Sequence, residues 1–127
     1  MSRALLFVGE NRSPTAIARG WTWRDGHLAA RPLFEALVAM GLDPATQTFI
    51  NLFVDGPSMR VNYRSVIAIR EAISAGSTIV ALGQKVARGL ALRGLVHTVI
   101  THPAARGKIR KRERYIAHVC STLTKAA

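Results

Sequence analysis

The residues best suited to chemistry are a histidine, a glutamate and two side-chain amides, each at or just past the end of an apolar run. His102 follows the run 96–100 and is stiffened by Pro103. Glu10 and Asn11 follow the run 4–8 across Gly9, and Asn51 lies in or at the end of the run 47–53. An imidazole changes charge near neutral pH and can donate from a ring N–H. A carboxylate can steady a developing cation or orient water, and a carboxamide presents a donor and an acceptor on one edge. Beyond His102 the chain passes through Arg106, Lys108, Arg110, Lys111, Arg112 and Arg114, with Glu113 as the single acid among them. A titratable donor at a strand end beside so dense a cationic arm suggests chemistry on a polyanion. The plainer alternative is a solvated basic helix start next to a structural histidine, and the rest of the chain has to decide between the two.

Charge shifts the balance toward the first reading. The net charge is +11, from 18 basic and 7 acidic residues in 127. Such an excess repels itself in a compact chain, and its most common use is a phosphate backbone. The hydrophobic share of 49% suffices for one core, so a single domain over 1–127 is expected. No run approaches the ~20 apolar residues that span a bilayer, and no basic helix carries an aromatic face suited to a membrane surface. The apolar run near the N-terminus reads as a strand rather than a signal peptide. An intracellular protein, cytoplasmic or nucleoid-associated and monomeric, is therefore expected. Cys120 is the only cysteine, which excludes an internal disulfide and a four-cysteine zinc or iron–sulfur site. No metal or cofactor is expected, and Cys120 falls on the apolar face of the last helix.

The elements that must position these groups follow from periodicity. Runs 4–8 and 77–82 are continuously apolar and stopped by Gly9 and Gly83, as strands buried on both faces read. Runs 47–53 and 96–100 give two further strands. Helices are expected over 28–40 (or from Pro32), 63–75, 85–92 and 109–123. In the last of these, Ile116, Val119 and Leu123 should face inward. The stretch 9–25 reads as a loop that can hold one helical turn, and 55–62, with Gly56 and Pro57, as another loop. Strands alternating with helices predict an α/β fold: a three-layer sandwich with a four-stranded parallel sheet between helices and right-handed crossovers. In such sheets the binding crevice lies beyond the carboxyl ends of the strands. That edge would receive Gly9, Glu10 and Asn11 from the first strand and Asn51 from the second. Gly83 and Gln84 would come from the third, and His102 and Pro103 from the fourth.

These residues, in this order, resemble the uracil-DNA glycosylase superfamily. Leu5-Leu6-Phe7-Val8-Gly9-Glu10 is similar to its first motif in the branch that reads Gly-Glu, and Thr101-His102-Pro103-Ala104 is similar to its late His-Pro-Ser-like turn. Phe49-Ile50-Asn51-Leu52-Phe53 resembles the strand that carries a base-reading asparagine, and Ile79-Val80-Ala81-Leu82-Gly83 resembles the strand before the final motif. The chain departs from the family in placing Asn11-Arg12-Ser13 before Pro14, in carrying Ala104 where serine is usual, and in being short.

The resemblance implies a uracil-DNA glycosylase-like sheet between helices, and hydrolysis of the N-glycosidic bond of uracil or a related deaminated base in DNA, as in base excision repair. It implies Glu10 beside the sugar, with Asn11 as substitute if the register slips by one, and His102 as donor to the departing base. Asn51 and Gly9 would line the base site, with Trp23 as the platform for a base flipped from single- or double-stranded DNA. Arg12 and Ser13 would meet phosphate. Arg106 would brace the gap, and Lys108, Arg110, Lys111 and Arg112 would bind phosphates without regard to sequence.

Two competing readings remain. Asn11-Arg12-Ser13-Pro14-Thr15-Ala16 also resembles the phosphate loop of low-molecular-weight tyrosine phosphatases, but no cysteine nucleophile precedes Arg12. The other is a non-catalytic, nucleic-acid-binding member of the glycosylase fold.

Overall fold

A computed structural model of the protein describes residues 4–25, 30–103 and 112–126. Four strands form one sheet: β1 (Leu5–Gly9), β2 (Thr48–Asn51), β3 (Thr78–Leu82) and β4 (Thr98–Ile100). All neighbours pair in parallel, in the order β2-β1-β3-β4. Five helices accompany them: α1 (Pro14–Arg19), α2 (Ala30–Ala39), α3 (Tyr63–Ser74), α4 (Gln84–Leu92) and α5 (Arg112–Ala126).

Alternation of side chains along the two central strands divides the core in two. Leu6, Val8, Ile79 and Ala81 face a layer built by α3 and α4, where Val66, Ile69, Val86 and Leu90 are buried. Phe7, Val80 and Leu82 face the opposite layer, where Leu33 and Leu37 of α2 meet Tyr115, Val119 and Leu123 of α5. A sheet buried on both faces needs near-continuous apolar strands, which is why β1 and β3 show no polar alternation. The α/β class, the parallel four-stranded sheet and its helical layers thus agree with the reading of the sequence.

Several boundaries differ. The stretch 9–25 holds more order than one turn: Ser13 caps α1, its Oγ accepting from the Ala16 N–H, and a 3-10 turn spans Trp23–Asp25. The fourth strand begins at Thr98, not 96. Val96 is 77% exposed, because Leu95 takes the buried place ahead of it. In α5 the innermost row is Tyr115, Val119 and Leu123, with Ile116 half-buried beside it. Tyr115, absent from the expected inward set, is 3% exposed.

The chain order creates a switch point. The excursion from β1 to β2 places α2 on one face of the sheet, whereas α4, which links β3 to β4, lies on the other. The carboxyl ends of β1 and β3 are adjacent there, and ligand crevices of open α/β sheets form at such points.

Candidate functional site

Glu10 leaves β1 and His102 follows β4, two strands that do not touch. Their side chains nevertheless meet above the end of β3, His102 Nε2 lying 3.8 Å from Glu10 Oε2. Gly83 makes this approach feasible. It has a φ of +95°, and a Cβ placed on it would come within 3.1 Å of the His102 Cβ. A side chain there would suffer backbone strain and push the histidine away. The separation of 3.8 Å exceeds a direct hydrogen bond and lies within the reach of an ion pair.

Electrostatics around His102 favour the neutral ring. Burial lowers its pKa most, the Glu10 carboxylate opposes that by attraction, and Lys85 in the first turn of α4 lowers it further. Gly83 is also the N-cap of α4 and supplies no side-chain cap, so the positive end of that helix stands beside the imidazole. A neutral histidine keeps one ring N–H to donate.

The peptide preceding His102 is held by α5. The Thr101 N–H donates to His118 Nε2 at 2.9 Å, and the Tyr115 hydroxyl donates to the Thr101 carbonyl at 3.0 Å. Burial raises the Tyr115 pKa, which keeps the phenol protonated as that donor. Sequence reading missed both residues. Their spacing of three on a helix was the available signal, since it sets both on one face.

Asn51 ends β2 and pairs in register with Gly9. The Ser65 hydroxyl donates to its backbone carbonyl, tying the strand end to α3. Its side-chain Oδ1 accepts from Trp23 Nε1 at 2.8 Å. The indole lies nearly parallel to Phe49, with ring centroids 5.5 Å apart and an angle of 16°, and Phe49 in turn stacks on Phe7 at 5.0 Å and 19°. A Cβ on Gly9 would come within 2.6 Å of the indole Cζ2 and 2.8 Å of Asn51 Oδ1, so this contact also requires glycine.

Beside this group a cleft of about 620 Å3 runs along β2, lined among others by Arg12, Trp23, Phe49, Asn51 and Asp55. Its size falls in the range of small-ligand sites. Glu10 and His102 do not line it. The structure therefore forms two adjoining groups, Glu10 with His102 and Asn51 with Trp23, joined through Gly9 and Glu10 in sequence, rather than one hollow ringed by all of them.

The remaining candidates are mostly engaged within the chain. Asn11 gives both hydrogens of its amide to carbonyls, Val54 O at 3.1 Å and Gly56 O at 3.0 Å, fastening the loop after β1 to the loop after β2. Arg12 forms a two-pronged contact with Asp55, Nε at 3.0 Å and the terminal nitrogen at 2.8 Å from Oδ2, and its backbone N–H donates to Oδ1. The guanidinium holds the Asp55 carboxyl below its usual pKa. Arg112 pairs with Glu35 of α2, which raises the arginine's pKa. Arg106, Lys108, Arg110 and Lys111 lie outside the described residues. Among the described residues no helix is long and apolar enough to cross a membrane, and no cluster of three or more His, Cys, Asp or Glu could hold a metal ion. No protein-family model matches the chain, and no curated protein sequence matches it.

Proposed function

We propose that the protein is a compact DNA glycosylase of the uracil-DNA glycosylase type, acting on uracil or a related deaminated base. The observation that carries this reading is the meeting of Glu10 and His102 across the end of β3, at the switch point of the sheet. Breaking an N-glycosidic bond sends the bonding electron pair to the base and leaves positive charge on the sugar. His102, neutral and with its preceding peptide fixed by α5, is suited to donate its ring N–H to the base as negative charge grows there. One such donor is typically worth ~2.7–4 kcal/mol of barrier. The Glu10 carboxylate opposes the sugar cation and orients the water that adds to it, taking up the proton that water releases. The Asn51 amide, on the residue paired in register with Gly9, is suited to reading the base edge. The net charge of +11 suits a phosphate backbone.

The test uses labelled single- and double-stranded oligonucleotides carrying uracil, hypoxanthine or a mismatch, with alkali cleavage of abasic sites. Breaks at a deaminated base support the enzyme; none on any substrate, despite tight salt-dependent binding, removes it. That second outcome belongs to the rival reading, a non-catalytic nucleic-acid-binding domain. The engagement of Asn51 by Trp23 and of Arg12 by Asp55 is what favours the rival.

A further inference from the structure

We propose that Trp23 is an intramolecular plug seated in the slot meant for a nucleobase, and that a base enters only by displacing it. The inference rests on the reading of Asn51 and Gly9 as a base site and adds a gate to it. The indole already makes the contacts a flat nitrogen heterocycle would seek there. Its face lies parallel over Phe49, which is anchored in turn on Phe7. Its ring N–H donates to Asn51 Oδ1 at 2.8 Å. Its edge rests against Gly9, where any side chain would collide with it.

The plug is an imperfect occupant, and that imperfection indicates what evicts it. Indole has a donor and no acceptor. It therefore leaves the Asn51 Nδ2 hydrogens without a hydrogen bond among the described residues. A heterocycle with a ring N–H next to a carbonyl uses both halves of the amide, the N–H on Oδ1 and the carbonyl on Nδ2. Uracil and hypoxanthine present that pair, as do thymine and guanine; joined to a sugar, cytosine and adenine do not. The ligand class is thus a planar lactam, and the extra hydrogen bond is the differential affinity needed to shift the equilibrium. The segment carrying the plug is short: a single 3-10 turn over Trp23–Asp25, held locally by Asp25 Oδ2 accepting from the Thr22 N–H at 2.7 Å. Its indole also lines the cleft, which gives the ring somewhere to go once it leaves Phe49.

The test uses Trp21→Phe protein, in which Trp23 is the only tryptophan, and free uracil as probe, with uracil methylated on both ring nitrogens as the control lacking a ring N–H. Binding is measured by calorimetry and indole exposure by acrylamide quenching. The plug predicts that uracil increases quenching of Trp23 and that the methylated control does not. It also predicts that Trp23→Ala binds uracil about tenfold or more tightly, because a competent state populated at about a tenth or less lowers apparent affinity by that factor. Trp23→Phe, which keeps the stack and loses the hydrogen bond, should fall between and guards against loss of folding in the alanine variant. If uracil instead protects Trp23 and both variants bind more weakly, Trp23 is a platform and the plug is overturned while the base site stands. If neither the parent nor either folded variant binds uracil, the base site itself is overturned, and the plug with it.

Discussion

His118 Nε2 accepts the Thr101 backbone N–H, so the residue before His102 is held by the last helix and not by the sheet alone. Tyr115, on the same helix face, donates its hydroxyl to the Thr101 carbonyl, the next peptide group along. On the proposed reading of His102, the two are positioning residues. Loss of one hydrogen bond to a half-buried backbone group costs about 0.5–1.5 kcal/mol.

His118→Ala is therefore expected to lower stability by about that amount and to reduce turnover with little change in DNA affinity. His118→Gln, which retains an acceptor, should recover much of both. The His102 ring signals in an NMR spectrum should move in the alanine variant and return in the glutamine one. Unmoved signals would leave the Thr101 contact as packing only.

Glu10→Ala and His102→Ala are expected to cut cleavage by about 10²–10³ with near-unchanged DNA affinity, in line with removal of a group that acts only in the transition state. Asn11→Ala separates a structural amide from a catalytic one. It removes two hydrogen bonds between loops, so it should lower the melting temperature and spare turnover relative to Glu10→Ala. Lys111→Ala should do the reverse of the catalytic variants, weakening binding and making the log–log salt slope shallower by about 0.9 for one lost duplex phosphate contact. Quench-flow cleavage and salt-titrated binding measure both quantities.

The pH response follows from His102. Its pKa in the folded protein is lowered, first by burial and further by Lys85, against the pull of Glu10. The unfolded chain therefore takes up a proton at higher pH than the native one. Stability is fully present above the ordinary histidine pKa and declines as pH falls through it toward the lowered native value, below which this group contributes no further loss. Donation by the neutral ring should persist until the native value is reached. NMR titration should place His102 below the usual histidine range, lower still in Glu10→Gln and higher in Lys85→Ala. A His102 that titrates above the usual range would contradict the account of burial.

Gly83→Ala tests the approach of His102 to Glu10. A φ of +95° with a Cβ contact of 3.1 Å gives both strain and displacement. The expected loss is about 1–3 kcal/mol in stability, with turnover falling as His102 moves. Denaturant melts and cleavage rates on the same preparation check this. A stable and fully active Gly83→Ala protein would mean that the imidazole does not need its present place.

The fold class was legible because strands buried on both faces are apolar throughout, and the runs 4–8 and 77–82 are both stopped by glycine. The rim residues Gly9, Glu10, Asn51, Gly83 and His102 followed from the same rule, since a parallel sheet sends every strand end to one edge. Partnerships across that edge were not legible, because they depend on strand order and on side-chain direction, neither of which is local. The order β2-β1-β3-β4 and the bare Gly83 let His102 reach Glu10, and α5 set Tyr115 and His118 on Thr101. Tertiary packing likewise gave the Asn51 amide to Trp23, the Asn11 amide to two loop carbonyls and the Arg12 guanidinium to Asp55. Composition fixes which polar groups need partners, whereas only the closed structure, where desolvation makes an unpaired group costly, selects among the partners within reach.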